Sequence, residues 1–73
     1  ELAARIAAQA HVPGEDEETD ARRRARIRLD LAASYYQQRN YNVALEEVRT
    51  ALAADPTYPA AYGMLGLIYM HLG

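Results

Sequence analysis

Two segments of the chain carry the same pattern of residues at a spacing of 34 positions. In each segment a leucine is followed directly by a small residue and, three positions later, by a tyrosine. The matched pairs are Leu31 and Leu65, Ala32 and Gly66, and Tyr35 and Tyr69. A period of this length belongs to helical hairpins that bury their apolar faces by stacking on one another. The period therefore predicts an all-α chain built of stacked hairpins.

The composition agrees with helices and argues against several other classes of protein. Alanine and arginine, both strong helix formers, are abundant, whereas β-branched residues are scarce. The net charge of −2 and the 51% of hydrophobic residues argue against a disordered acidic tail and against a strongly basic nucleic-acid-binding domain. The chain has no cysteine, so neither disulfides nor thiolate metal sites are expected. No apolar run approaches the ~20 residues of a membrane-spanning helix.

Apolar periodicity and helix-breaking residues divide the chain into four predicted helices. The first is short and rich in alanine, with Leu2 and Ile6 on one face, and Pro13 ends it. An acidic stretch follows, and Thr19 or Asp20 is predicted to cap the second helix. The predicted helices cover residues 2–10, about 21–38, about 43–53 and about 60–72, with a turn at 39–42.

Each of the three longer helices has one predicted apolar face. These faces consist of Ile27, Leu31, Ala32 and Tyr35, then of Ala44, Leu45, Val48, Ala51 and Leu52, and finally of Leu65, Ile68, Tyr69 and Leu72. The last face has no following helix in the chain to cover it. We therefore expect either self-association or cover from residues 2–10.

The spacing of these residues resembles that of the tetratricopeptide repeat (TPR). The hallmark positions are filled by Leu31, Ala32, Tyr35, Ala44, Val48, Ala51 and Pro56, and again by Tyr62, Leu65, Gly66 and Tyr69. Arg28 departs from the pattern at the first aromatic position, which is acceptable in a first repeat whose outer side faces solvent or the N-terminal helix. The resemblance implies an α-α superhelix, present here as a truncated fragment. Its expected parts are a short helix and acidic linker at 1–18, a first TPR with its preceding cap at 19–58, and the first helix of a truncated second TPR at 59–73.

The resemblance also implies a protein-binding groove, because the first helices of TPRs line a concave face. The residues expected there are Arg26, Leu29, Ala33, Tyr36 and Gln37 in the first repeat, and Ala60, Gly63, Leu67, Met70 and His71 in the second. Such a mixture suits a bound helix or extended peptide. An alternative is that Tyr36, Leu67 and Met70 are buried against neighbouring repeats or the N-terminal helix.

No motif in the chain predicts catalysis or a cofactor. His11 and His71 have no acidic or cysteine partner at ligand spacing, so solvated side chains are expected. Ser34 lies mid-helix without a glycine elbow, which argues against a nucleophile. Five arginines between residues 22 and 28 follow five acidic residues between 15 and 20. We expect them to form a solvated, partly paired face that binds no nucleic acid, with an acidic protein partner as the alternative.

A closer resemblance covers residues 19–73. The segments 19–29, Tyr35-Tyr36-Gln37-Gln38 and 43–47, with Ala51-Leu52-Ala53-Ala54-Asp55-Pro56 and Gly66-Leu67-Ile68-Tyr69-Met70, resemble the type IV pilus biogenesis and stability lipoproteins, or pilotins. Members of that family are anchored to the outer membrane by an acylated cysteine, face the periplasm and assist assembly of the pilus secretin. The resemblance implies a scaffold whose partner is the secretin or another pilus-assembly protein, and whose membrane contact is a lipid anchor outside this sequence. The alternative is a generic bacterial TPR adaptor with another protein partner.

Overall fold

A computed structural model describes residues 18–73, and the predicted helix at 2–10 lies outside them. The described part contains three helices and no strand, which confirms the all-α prediction. They are α1 (Asp20–Gln37), α2 (Tyr41–Ala54) and α3 (Pro59–Leu72). The predicted turn at 39–42 was too long, because α2 already begins at Tyr41.

The two ends of α1 are fixed by local hydrogen bonds. At its start the Thr19 hydroxyl accepts a hydrogen bond from the Arg22 amide at 3.0 Å, which confirms Thr19 as the predicted cap. At its end Arg39 adopts a left-handed conformation with φ of 62°. The Arg39 and Asn40 amides then donate to the carbonyls of Tyr36 and Tyr35, the bonding pattern of a Schellman motif. This motif reverses the chain directly into α2.

Contacts between side chains show that α1 and α2 form an antiparallel hairpin. Arg22, at the start of α1, pairs with Asp55, which follows α2. Near the middle, Arg28 lies 3.4 Å from Glu47. At the turn, the rings of Tyr36 and Tyr41 are 5.5 Å apart.

The third helix packs against α1 and α2 in one hydrophobic core. Ala32 of α1, Ala44 and Val48 of α2, and Ala61 and Ile68 of α3 are all fully buried in one cluster. Three of these five residues are alanines, whose small side chains let helix backbones approach closely. Ile68 and Val48 are the largest fully buried side chains of the described residues.

The structure corrects the apolar face predicted for α1. Of the four predicted residues, Ala32 is fully buried and Tyr35 packs against the core, whereas Ile27 is 50% exposed and Leu31 is 41% exposed. The other buried residue of the helix, Ala25, was not among those predicted. The periodicity located a real apolar stripe, but α2 and α3 pack on the side of α1 that carries the alanines. Within residues 18–73, Ile27 and Leu31 are only partly covered.

The prediction that α3 leaves its apolar face bare was partly wrong. Ile68 is fully buried and Leu65 is half-buried, because both pack in the same core as α2. Tyr69 and Leu72 remain exposed, as expected. The two expected alternatives, self-association and cover by residues 2–10, stay predictions, and residues 2–10 lie outside the described part.

Candidate functional site

The ten residues predicted to line a groove all fall on α1 and α3, five on each helix. These two helices lie parallel to each other, as contacts near both ends show. At the starting end, the Arg22 guanidinium stacks over the ring of Tyr58, the residue that precedes α3, 4.5 Å from the ring centroid. At the other end, the Tyr36 hydroxyl and His71 Nε2 are within hydrogen-bond distance at 3.0 Å. We call the surface formed by the ten residues the α1–α3 face.

The two helices contribute differently to this face. On α1, Leu29 and Tyr36 are half-buried and pack against the core, Ala33 is half-buried, and Gln37 is exposed. On α3, the apolar side chains of Leu67 and Met70 stand 45% and 80% exposed. Of the remaining members of the face, Arg26 is half-buried, and the other three are exposed: Ala60, Gly63 and His71. The α3 half therefore offers accessible apolar surface, whereas much of the α1 half supports the core.

An aromatic cluster connects all three helices at one end of the face. The rings of Tyr41 and His71 are stacked with centroids 4.4 Å apart and an interplanar angle of 7°. Tyr36 packs edge-on against both rings. His71 was expected to be merely solvated, and the structure shows that its ring, although exposed, contacts two tyrosines. Sequence reasoning missed Tyr41 because it was assigned to a turn rather than to the first position of α2.

A polar cluster lies at the opposite end, where α2 passes into α3. Asp55 is only 8% exposed and accepts hydrogen bonds from the Arg22 guanidinium and from the amide and hydroxyl of Thr57. The bonds from Arg22 and Thr57 lower the pKa of Asp55 from 3.8 to about 2. Arg22 also stacks on Tyr58. One guanidinium of α1 therefore contacts both the first and the last residue of the loop that connects α2 to α3. The Asp-x-Thr spacing is the sequence signal for the turn, since an aspartate commonly bonds the backbone two residues on.

The arginines of α1 pair with different parts of the chain. As predicted, two of them meet the acidic residues before and at the start of the helix: Arg26 contacts Glu18 at 2.9 Å and Arg23 contacts Asp20 at 2.9 Å. The bond to Glu18 raises the pKa of Arg26. Arg22 and Arg28 instead pair across the hairpin, as described above. The pairing therefore spreads the positive charge over several sides of α1.

Residues 18–73 contain no group of three or more histidine, cysteine, aspartate or glutamate side chains arranged to hold a metal ion. None of the described helices has the length and hydropathy needed to cross a membrane. Comparisons of the chain with protein-family models, with curated proteins and with solved structures gave no match.

Proposed function

We propose that the chain is part of a TPR scaffold that binds a protein partner on the α1–α3 face. The observation that carries this proposal is the parallel stacking of α1 and α3. Their contacts join Arg22 to Tyr58 and Tyr36 to His71, residues 36 and 35 positions apart. These offsets agree with the 34-residue period of the sequence, as expected when each new hairpin repeats the placement of the one before.

The exposed side chains of α3 support binding through this face. Leu67 and Met70 project apolar surface from consecutive turns, and Arg26 lies on the neighbouring helix. Spacing of three to four residues on a helix suits the apolar stripe of a bound helix or the alternate side chains of an extended peptide. Methionine adapts its shape to different partners more readily than other apolar residues do.

The resemblance of residues 19–73 to pilotins gives the proposal its more specific form. In this form the partner is the type IV pilus secretin or another pilus-assembly protein, and the parent protein works at the periplasmic face of the bacterial outer membrane. The sequence resemblance alone supports this partner. A lipobox cysteine a few tens of residues upstream in the gene would agree with the proposal, and an intracellular start at that place would refute it.

A calorimetric titration of the chain with the purified periplasmic part of the secretin from the same genome tests both the proposed partner and the proposed binding face. Leu67→Asp and Met70→Asp should each weaken binding by about tenfold or more, because a charge would replace an apolar anchor. Leu72→Asp is the matched control, since Leu72 is also apolar, exposed and on α3 but lies outside the α1–α3 face. Its affinity should stay within about threefold of the parent chain.

The results distinguish an error in the proposed partner from an error in the proposed binding face. If the folded chain does not bind the secretin, the pilotin proposal is wrong and a scaffold for another partner remains. If binding occurs but Leu72→Asp weakens it as much as Met70→Asp does, the assignment to the α1–α3 face is wrong.

A further inference from the structure

The internal repeat shows that one side of α1 lacks the cover that the equivalent side of α3 receives. At an offset of 34, Ile27 corresponds to Ala61 and Leu31 corresponds to Leu65. Ala61 is fully buried and Leu65 is half-buried in the core that α3 shares with α2, the helix preceding it. Ile27 and Leu31 are 50% and 41% exposed. By this equivalence, a helix that precedes α1 in the chain should lie against Ile27 and Leu31.

The surface beside Ile27 is concave. A concave pocket of about 350 Å³ opens between the first half of α1 and the end of α2. It is lined by Arg24, Ile27, Arg28, Thr50 and Ala54, and most of its lining is apolar. We call this pocket together with Leu31 the Ile27 face.

We propose that residues 2–10 form a helix that docks antiparallel to α1 on the Ile27 face. A helix of about nine residues is marginal alone and needs a surface to pack against. Its two large apolar residues, Leu2 and Ile6, are four positions apart, as are Ile27 and Leu31. With a rise of about 1.5 Å per residue, both pairs span about 6 Å, so Ile6 meets Ile27 while Leu2 meets Leu31.

The connecting residues permit this placement. Residues 11–19 provide nine positions between the segment and α1, whereas four residues, 55–58, connect α2 to α3. Nine extended residues reach about 30 Å. Ile27 lies seven residues into α1, about 10 Å along its axis. The linker is therefore long enough for the segment to turn back along α1.

The charges around the Ile27 face suit the acidic linker and not the docked segment, whose one charged residue, Arg5, has the same sign as Arg24 and Arg28. Arg24 and Arg28 flank the pocket, and Arg24 makes no ion pair within residues 18–73. The linker carries Glu15, Asp16 and Glu17, which would pass close to these guanidinium groups. Exposed ion pairs contribute little stability, so their role here is to favour the orientation of the linker, while apolar contact supplies the affinity.

Cysteine crosslinking tests the proposed contact, and because residues 1–73 contain no cysteine, no other thiol competes. The double variant Ile6→Cys/Ile27→Cys should form an intramolecular disulfide under mild oxidation at high dilution. The control is Ala8→Cys/Ile27→Cys, because residue 8 lies on the opposite side of the predicted helix from residue 6. Disulfides need Cβ atoms about 4 Å apart, so the control should react at least about tenfold more slowly.

Circular dichroism of each reduced variant establishes that it is folded before the rates are compared. Equal rates for the two double variants would overturn the proposal, since a tethered segment without a fixed position brings both cysteines to residue 27 equally often. Crosslinking that yields covalent dimers at the same dilution would also overturn it, since a second copy would then occupy the Ile27 face. Mass spectrometry separates these products.

Discussion

The burial of Ile68 gives the sharpest prediction about how α3 is held. Ile68 is fully buried against residues of α1 and α2, and Ile68→Ala removes three carbon atoms from that contact. At about 0.8 kcal/mol for each buried methylene-sized group, the lost transfer free energy is about 2.4 kcal/mol. The cavity left behind adds to this, so the free energy of unfolding should fall by about 3–4 kcal/mol, within the usual range for such changes.

Met70 supplies a matched control, because it lies on the same helix two positions away and is 80% exposed. Met70→Ala should change the free energy of unfolding by no more than about 0.5 kcal/mol. Urea unfolding followed by circular dichroism measures both variants. If Ile68→Ala is too unstable to fold, Ile68→Val keeps the comparison possible with an expected loss of about 0.5–1.5 kcal/mol. Equal losses for the two positions, or no loss at Ile68, would refute the docking of α3 described here.

Three further predictions concern the loops and caps. Because the folded-state pKa of Asp55 lies below its ordinary value of 3.8, its stabilising effect is complete above about pH 4 and is lost as the pH falls towards 2. Asp55→Asn should therefore be less stable than the parent chain near neutral pH, and unfolding curves measured in acid should show a smaller difference in stability. The control is Asp30→Asn, whose stability should be close to that of the parent chain at every pH because Asp30 belongs to an exposed ion pair. Arg39→Gly should stabilise the chain by about 0.5–1 kcal/mol because φ at this position is 62°, and Gln38→Gly at an ordinary φ should destabilise it in the same thermal melts. Thr19→Ala should cost about 1 kcal/mol in thermal melts through loss of the cap on α1, and an unchanged melting temperature would contradict this role.

The local features of the fold could be predicted from the sequence because each depends on a few adjacent residues. Thr19 caps α1 through its own hydroxyl, and Pro59 starts α3 at a position that requires no amide hydrogen. Of the residues predicted for the apolar face of α2, Ala44, Val48 and Ala51 are buried, and Leu45 and Leu52 are half-buried against the same core.

Which side of α1 would be buried could not be predicted from periodicity alone. The helix has two small residues, Ala25 and Ala32, on one side and two large ones, Ile27 and Leu31, on another. Side-chain size favours the larger pair for burial, whereas close helix packing selected the alanines. The buried side of α1 depends on where the neighbouring helices lie, which the periodicity of α1 does not contain.

The clusters at the two ends of the α1–α3 face also depended on long-range geometry. Tyr36 and His71 were each predicted to lie on this face, but their hydrogen bond and the stacking of Tyr41 on His71 require the three helix ends to meet. The pairing of Arg22 with Asp55 joins residues 33 positions apart, beyond the reach of any local pattern.

The parallel placement of α3 beside α1 is the claim on which the proposed scaffold depends, and nuclear Overhauser effects between side-chain protons measure it most directly. We expect cross-peaks between the rings of Tyr36 and His71, and between Arg22 and the ring of Tyr58. Cross-peaks that instead placed His71 near Arg22, or a lack of any contact between α1 and α3 in a folded chain, would contradict the repeat arrangement.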